Sequence, residues 1–226
     1  MMLVIPDVLD ATALAAMRAR FAQARWRDGR ETAGHAAVGQ KRNEQLHVAD
    51  PLAAELGERI LDALSGNAAF ISFALPLKIL SPMFNRYRGG GEYGFHIDNA
   101  IRVDPLTGQR IRTDISTTVF LNDPDEYEGG ELIINDTYGV EKVKLPAGHA
   151  VVYPGASLHR VSPVTRGERI ASFFWTQSMV RDDARRGILH DLDTTIQALA
   201  TRPQNAAEVV RLTGTYHNLL RQWAQA

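Results

Sequence analysis

The chain has no cysteine in its 226 residues. Disulfides, thiolate metal centres and cysteine nucleophiles are therefore excluded, and any metal must be held by His, Asp or Glu. An excess of charge is missing too: 25 Lys and Arg stand against 26 Asp and Glu, for a net charge of −1. That balance offers no basic footprint for nucleic acid and no polybasic patch for an anionic membrane. No apolar run approaches the ~20 residues that a membrane span needs. The start has no positively charged region and reaches Asp7 after a very short apolar stretch, so no signal peptide is read there. A cytoplasmic protein is the expectation. What is present is ordinary in kind: 45% hydrophobic and 23% charged residues, enough to build one sizeable domain with extensions.

Pattern divides the chain into three regions. Residues 1–70 read as a helical and irregular extension. Asp10 is a candidate N-cap, and Leu14, Met17, Phe21 and Ala22 fall at helical spacing up to about Trp26. Arg27 to Gln45 is polar and reads as loop or irregular strand, and Asp50-Pro51 opens a second helix to about Leu64. Residues 71–180 instead alternate short apolar segments with turn signals. The segments are Leu77–Tyr87, Tyr93–Ile101, Asp114–Leu121, Glu131–Ile134, Val140–Leu145, Ala150–Tyr153 and Arg169–Gln177. Many short strands with closely spaced turns predict a sandwich or barrel. Residues 181–226 return to helix, from Asp182 to about Leu199 and, after Pro203, from Asn205 to about Trp223. The fold class is mainly β with helical extensions, an α+β chain. The extensions are expected to pack on the β core, and their apolar positions suit intramolecular packing or a homo-oligomer partner equally.

His96-Ile97-Asp98 is the first feature with chemical content. In a strand, residues i and i+2 share a face, so both side chains can approach one ion. Alone the pair says little, because seven His and fifteen Asp in this length produce a His-x-Asp by chance about every second time. The setting says more: Tyr93, Phe95 and Ile97 alternate with Gly94, His96 and Asp98, giving an apolar face and a polar one. A jelly roll or barrel with a polar interior mouth would use the second. A third ligand must come from elsewhere. His35 and His47 lie in the leading region and His190 and His217 in the tail, leaving His149 and His159 in the β core. His149 sits in the Pro146-Ala147-Gly148 turn, where an exposed polar residue is expected. His159 follows a core strand and its Pro154-Gly155 turn, and is preferred, with His149 still a competitor.

Two imidazoles and one carboxylate on one side of an ion leave its other positions open, which is the facial triad of non-haem Fe(II) oxygenases. A structural zinc site would more often close its fourth position with a further protein ligand. Arg169 meets a second requirement. A cosubstrate that chelates iron through a 2-oxo acid end has a distal carboxylate to anchor, and guanidinium grips carboxylate bidentately. Tyr87 is a candidate for a second hydrogen bond to that carboxylate. The ordinary alternatives are a surface ion pair of Arg169 with Glu168 and a core aromatic role for Tyr87. Asn99, Arg102, Thr117 and Trp175 are unranked candidates for the pocket wall.

These residues carry a family. Asn85-Arg86-Tyr87, Gly89-Gly90-Gly91, Tyr93-Gly94-Phe95-His96-Ile97-Asp98-Asn99-Ala100 and Glu128-Gly129-Gly130-Glu131-Leu132, followed by His159 and Arg169, resemble the prolyl-4-hydroxylase-like Fe(II)/2-oxoglutarate dioxygenases. More closely, the chain resembles the bacterial PKHD-type hydroxylases over nearly its full length. The leading Asp28-Gly29-Arg30-Glu31-Thr32-Ala33-Gly34 and the tail Tyr216-His217-Asn218-Leu219-Leu220-Arg221 look like that subfamily as well. The resemblance implies a double-stranded β-helix (jelly-roll) core, Fe(II), 2-oxoglutarate and O2, with ascorbate as a candidate reductant. Some bacterial members are associated with iron uptake. The expected activity is hydroxylation of an unidentified small-molecule or peptidyl substrate, with succinate and CO2 as coproducts. Two rivals stand beside it: a nucleic-acid demethylase of the same chemistry, which the near-neutral charge disfavours, and a non-catalytic jelly-roll sensor of metal or ligand.

Overall fold

The computed structural model describes residues 1–32, 38–104, 107–136 and 139–225. In chain order the elements are β1 (Leu3–Ile5), α1 (Ala11–Phe21), β2 (Trp26–Asp28), β3 (Lys41–Arg42), β4 (Glu44–Leu46), α2 (Pro51–Ser65), α3 (Ala68–Ala74), β5 (Pro76–Ile79), β6 (Met83–Arg88), β7 (Glu92–His96) and β8 (Ile101–Val103). Then come β9 (Arg110–Arg112), β10 (Ile115–Phe120), β11 (Tyr127–Gly129), β12 (Leu132–Asp136), β13 (Gly139–Val143), β14 (Ala150–Pro154), β15 (Leu158–Val161), β16 (Val164–Ser178), α4 (Asp183–Ala200) and α5 (Ala206–Trp223). The Ala33-Gly34 end of the leading motif, and His35, lie outside the described residues.

The helices begin where side chains can satisfy their free N–H groups. The Asp10 carboxylate accepts from the Ala13 N–H at 2.7 Å, Asp50 from Leu52 at 2.9 Å, Asn67 from Phe70 at 2.9 Å and Asp182 from Arg185 at 2.8 Å. Pro51 occupies the first turn of α2, where a missing N–H is harmless. No helix among the described residues is long and apolar enough to cross a membrane.

Two sheets form the core. The larger runs β1-β14-β10-β16-β6-β4-β2, with β5 and β11 also pairing β16; the smaller runs β13-β12-β15-β7-β3, and β8 pairs β9 separately. Among the described residues the strands do not close into a barrel. The larger sheet is buried on both faces, and side-chain alternation assigns each residue to one of them. On the outer face, Phe84, Ile115, Val119, Val152, Ile170 and Phe174 pack against Met17 and Phe21 of α1, Leu56 and Ile60 of α2 and Phe70 of α3. Burying each such side chain stabilises the fold by roughly 1.5–3 kcal/mol. On the inner face, Tyr87, Phe120, Val151 and Tyr153 meet Leu132, Ile134 and Val161 of the smaller sheet. The tail is a helical pair: Leu189 of α4, with Leu75 and Val180, forms an apolar cluster that Tyr216, Leu219, Leu220 and Trp223 of α5 cover. Arg186 ties α4 down by donating to the carbonyls of Val180 and Arg181 at 2.7 and 2.9 Å.

Several local expectations differ from what forms. The first helix ends at Phe21, and Trp26 starts β2 opposite Leu46. The polar Arg27–Gln45 stretch, read as loop or irregular strand, takes the second form in part and contributes to β2, β3 and β4, which pair into the two sheets. Its strands are only two or three residues long, too short to show alternation. Ile71 lies in α3, an apolar helix whose short sequence resembles a strand. The Leu77–Tyr87 segment is two strands broken at Leu80-Ser81-Pro82, since proline lacks the ladder donor.

The Gly129-Gly130 turn shapes the centre of the sandwich. Both residues have positive φ, at 72° and 69°. A Cβ on Gly129 would collide with the Pro163 carbonyl oxygen, and one on Gly130 would press on Tyr127, Val164 and the Arg169 side chain. Gly129→Ala should therefore destabilise the protein by roughly 2–4 kcal/mol, combining left-handed backbone strain with a backbone clash. Urea unfolding would show this as a lower midpoint at constant slope; an unchanged midpoint would mean the turn relaxes freely.

Candidate metal and cosubstrate site

β7 and β15 run antiparallel in the smaller sheet, and their register sets His159 opposite His96. The two imidazole centroids are 4.2 Å apart. Asp98 follows two residues beyond the end of β7, and its Oδ2 lies 3.9 Å from His159 Nε2. One ligand-capable atom from each of the three residues falls within 4.8 Å of the others. The His159 and Asp98 side chains are 6% and 7% exposed.

The strand rule that suggested this pair holds only in part. β7 stops at His96, so Asp98 is placed by the loop that follows and not by the pleat. The ladder also slips: from His159 to Val161 is a two-residue step, whereas their partners His96 and Tyr93 are three apart. The extra residue is a β-bulge on β7. It turns Tyr93 to the His96 side, where the rings stack at 3.6 Å with 19° between planes. Tyr93 therefore does not share a face with Phe95 and Ile97, which are left 44% and 58% exposed.

The donor set fits a borderline divalent cation. His96 Nδ1 is 2.8 Å from the Gly94 carbonyl oxygen, and His159 Nδ1 is 2.9 Å from that of Ser157. A carbonyl can only accept, so each Nδ1 carries the proton and each Nε2 presents a lone pair. Burial, and then the neighbouring His159, push the His96 pKa down to about 4, keeping its imidazole in the neutral, metal-binding form. Asp98 Oδ2 is buried without a hydrogen bond. An ionised oxygen left so is costly unless a cation meets it.

Arg169 lies on the inner face of β16 opposite Tyr87 of β6. It is 1% exposed. Its guanidinium sits over the rings of Tyr87 and Phe120, at 5.5 and 5.1 Å from their centroids. Nε and Nη1 make no hydrogen bond. The surface pairing with Glu168 does not form, because that carboxylate turns to Arg86 at 3.7 Å. Burial raises the pKa of Tyr87, with the Arg169 charge opposing it. Arg169, Tyr87, His96, Asp98 and His159 all line one narrow cavity of about 60 Å³.

The structure thus brings together all five residues singled out from sequence. His149 stays apart, with Nδ1 3.9 Å from Asp7. His190 faces Ser72 at 3.1 Å, and the His47 ring accepts from the Ala49 N–H. The unranked pocket candidates fare less well. Thr117 shares the outer parity of Ile115 and Val119, and Asn99, Arg102 and Trp175 fall outside the immediate lining. Missed were Lys41, Asn43 and Gln45 from the leading strands, and Ser116, Thr118 and Tyr153 from the inner face. Ser116 and Thr118 carried a usable signal: two polar residues at period two inside a strand that is otherwise core. Tyr153 sets its ring edge-on to His159 at 5.3 Å.

Comparison with known proteins gives two family matches. Residues 82–177 match the 2OG-Fe(II) oxygenase superfamily and residues 183–225 match the PKHD-type hydroxylase C-terminal domain. A PKHD-type hydroxylase of Hyphomonas neptunium is 58% identical over 226 residues, covering 100% of both chains. Another, from Stenotrophomonas maltophilia, is 56% identical over 225 residues, again covering 100% of both. Among solved structures, a Pseudomonas putida prolyl-4-hydroxylase superposes with a TM-score of 0.51 at 21% identity, covering 78% of this chain and 92% of that one. The fold is that shared jelly roll.

The competition between the two core histidines has a direct test. His149→Ala should leave divalent metal uptake intact, while His159→Ala should lose it, as read by metal content after anaerobic dialysis against Fe(II). Loss in the first variant and retention in the second would reverse the assignment.

Proposed function

The chain belongs to the PKHD-type hydroxylases, a family of 2-oxoglutarate- and Fe(II)-dependent oxygenases, and from that premise we propose that His96, Asp98 and His159 hold Fe(II) while Arg169 anchors the distal carboxylate of 2-oxoglutarate. One observation carries the reading: a buried guanidinium with unmet donors faces the same cavity as three convergent metal-ligating atoms. A sensor of metal alone would have no use for that cation. When bound, iron with 2-oxoglutarate and O2 supplies an oxidation that puts one oxygen atom into the substrate and the other into succinate, with release of CO2.

The residues of the chain position and shield. The Gly94 and Ser157 carbonyls fix both imidazoles through their Nδ1–H groups, so Nε2 is aimed before any ion arrives. Tyr93 and Tyr153 pack against those rings and limit their rotation. Arg169 offers a fork of donors to a carboxylate, and Tyr87 adds its hydroxyl beside it. Leu132, Val161 and Phe173 give the cavity apolar walls, which exclude water and strengthen each charge interaction inside. Ascorbate as reductant and a setting in iron uptake rest on the family resemblance, and the substrate is a small molecule or peptide on the same ground.

Purified protein should convert 2-oxoglutarate to succinate only with Fe(II) and O2, and His96→Ala or Asp98→Ala should abolish this. Undiminished turnover in both variants would remove the triad. Arg169→Ala should raise the half-saturating 2-oxoglutarate concentration by about tenfold or more, the worth of a charge-assisted pair. An unaltered requirement would mean that another residue holds the cosubstrate.

A further inference from the structure

We propose that Asn85 is a further ligand of the cosubstrate: its side-chain amide donates a hydrogen bond to the 2-oxo acid end of 2-oxoglutarate, the end that Arg169 does not hold. The proposal rests on the oxygenase reading above and deepens it.

Register fixes where Asn85 stands. β6 and β16 pair Tyr87 with Arg169, Asn85 with Ala171 and Met83 with Phe173. β10 extends these rows, setting Phe120 opposite Ala171, Thr118 opposite Phe173 and Ser116 opposite Trp175. β14 then sets Tyr153 opposite Ser116, and the Tyr153 ring meets His159 edge-on at 5.3 Å. The inner face is therefore a series of rows. The row of Arg169 and Tyr87 lies at one end, and the row of Trp175, Ser116 and Tyr153, which reaches the metal-ligating residues, lies at the other. Asn85 occupies the first row from Arg169 towards the metal end. It is two residues from Tyr87 on β6, about 7 Å along the strand and on the same face. A cosubstrate that links Arg169 to the triad has to pass the row of Asn85.

The amide itself is left for something else to meet. Asn85 is 8% exposed and lines the cavity that Arg169, His96, Asp98 and His159 share. Its Oδ1 is buried without a hydrogen-bond partner. Ala171, opposite it on one side, ends at Cβ and offers no polar group, and the pairing with Gln45 of β4 on the other side leaves Oδ1 unbonded. A buried polar atom in that state is costly and calls for a partner. An amide carries two donors and an acceptor, and rotation about its last torsion presents either. An ionised 2-oxo acid offers acceptors alone, so Nδ2 is the atom that serves it. An amide also donates without adding a fixed charge. It therefore does not repel the ion that Asp98 attracts, and it does not rival Arg169 for the distal carboxylate.

Equilibrium binding separates the two ends of the cosubstrate. Protein loaded with Mn(II), a redox-quiet ion suited to imidazole and carboxylate, is titrated calorimetrically with 2-oxoglutarate and with oxalate. Oxalate resembles the 2-oxo acid end and lacks the distal arm. Asn85→Ala should weaken both ligands about tenfold, whereas Arg169→Ala should weaken 2-oxoglutarate alone. Asn85→Asp keeps the shape and places a carboxylate where the donor was, so it should weaken both at least as much; it carries the same comparison if Asn85→Ala folds poorly. Mn(II) affinity in Asn85→Ala should equal that of the native protein, a quantity that a merely structural role would move. Oxalate bound equally well by the native protein and the Asn85 variants overturns the proposal, even if 2-oxoglutarate is weakened, and so does a loss that follows weaker Mn(II) binding. Failure of the oxygenase reading looks different: the native protein would bind no Mn(II), or no 2-oxoglutarate once loaded, and the role of Asn85 would fall with it.

Discussion

A guanidinium buried to 1% exposure is the constraint around which the interior is arranged. Taking such a charge out of water costs several kcal/mol unless its donors and its charge are met. The fold meets it partway. The rings of Tyr87 and Phe120 turn their faces to the cation, an interaction worth roughly 0.5–2 kcal/mol each. Gly130 leaves the space that its side chain crosses. β16, paired on both sides by β6 and β10, holds the backbone so that the head cannot retreat to solvent. What is left unmet, Nε and Nη1, is what an anionic ligand would complete. The jelly roll therefore keeps stability in reserve at its centre, and the helices on its outer face supply the apolar burial that allows it.

The smaller sheet is built the other way round. In most half-buried strands the apolar residues face inward. β7 buries polar His96 and leaves Phe95 outside, with exposed Ile97 and buried Asp98 continuing the inversion past the strand end. The reason lies in what faces them: the opposing β16 and β10 present Arg169, Ser116 and Thr118, not a greasy wall. The bulge at Tyr93 completes the arrangement by adding an aromatic ring to the inner side without a change in strand direction.

How much of this could be read beforehand follows from the length scale of each signal. The four longer helices announced themselves through spacing, and Asp10, Asp50-Pro51 and Asp182 marked the starts of three of them. The first helix was expected to run on to Trp26 because nothing in composition marks Ala22 as its end. His96, Asp98, His159, Arg169 and Tyr87 were legible because their chemistry is distinctive and their flanking motifs resemble a family. The bulge was not, since a single inserted residue depends on the partner strand. Nor was β15, four residues without clear alternation. Lys41, Asn43 and Gln45 were invisible for a similar reason: short strands in a polar stretch look like loop until their partners are known.

Those three residues also change what the leading segment is. β3 pairs β7 and β4 pairs β6, so the segment's strands touch both the strand that carries His96 and the strand that carries Tyr87. Glu44 is gripped by Arg86 and Arg88 at 2.8 and 2.9 Å, which fixes β4 against β6 beside the cavity. A shift of β4 by one residue would flip Asn43 and Gln45 away from the metal site and bring Glu44 in, since side chains alternate along a strand. A second carboxylate next to Asp98 would then compete for the ion and oppose an incoming anion. Register of β4 against β6 is thus an electrostatic choice: the Glu44–arginine contacts hold the acid on the far side and leave the cavity wall to the amides of Asn43 and Gln45.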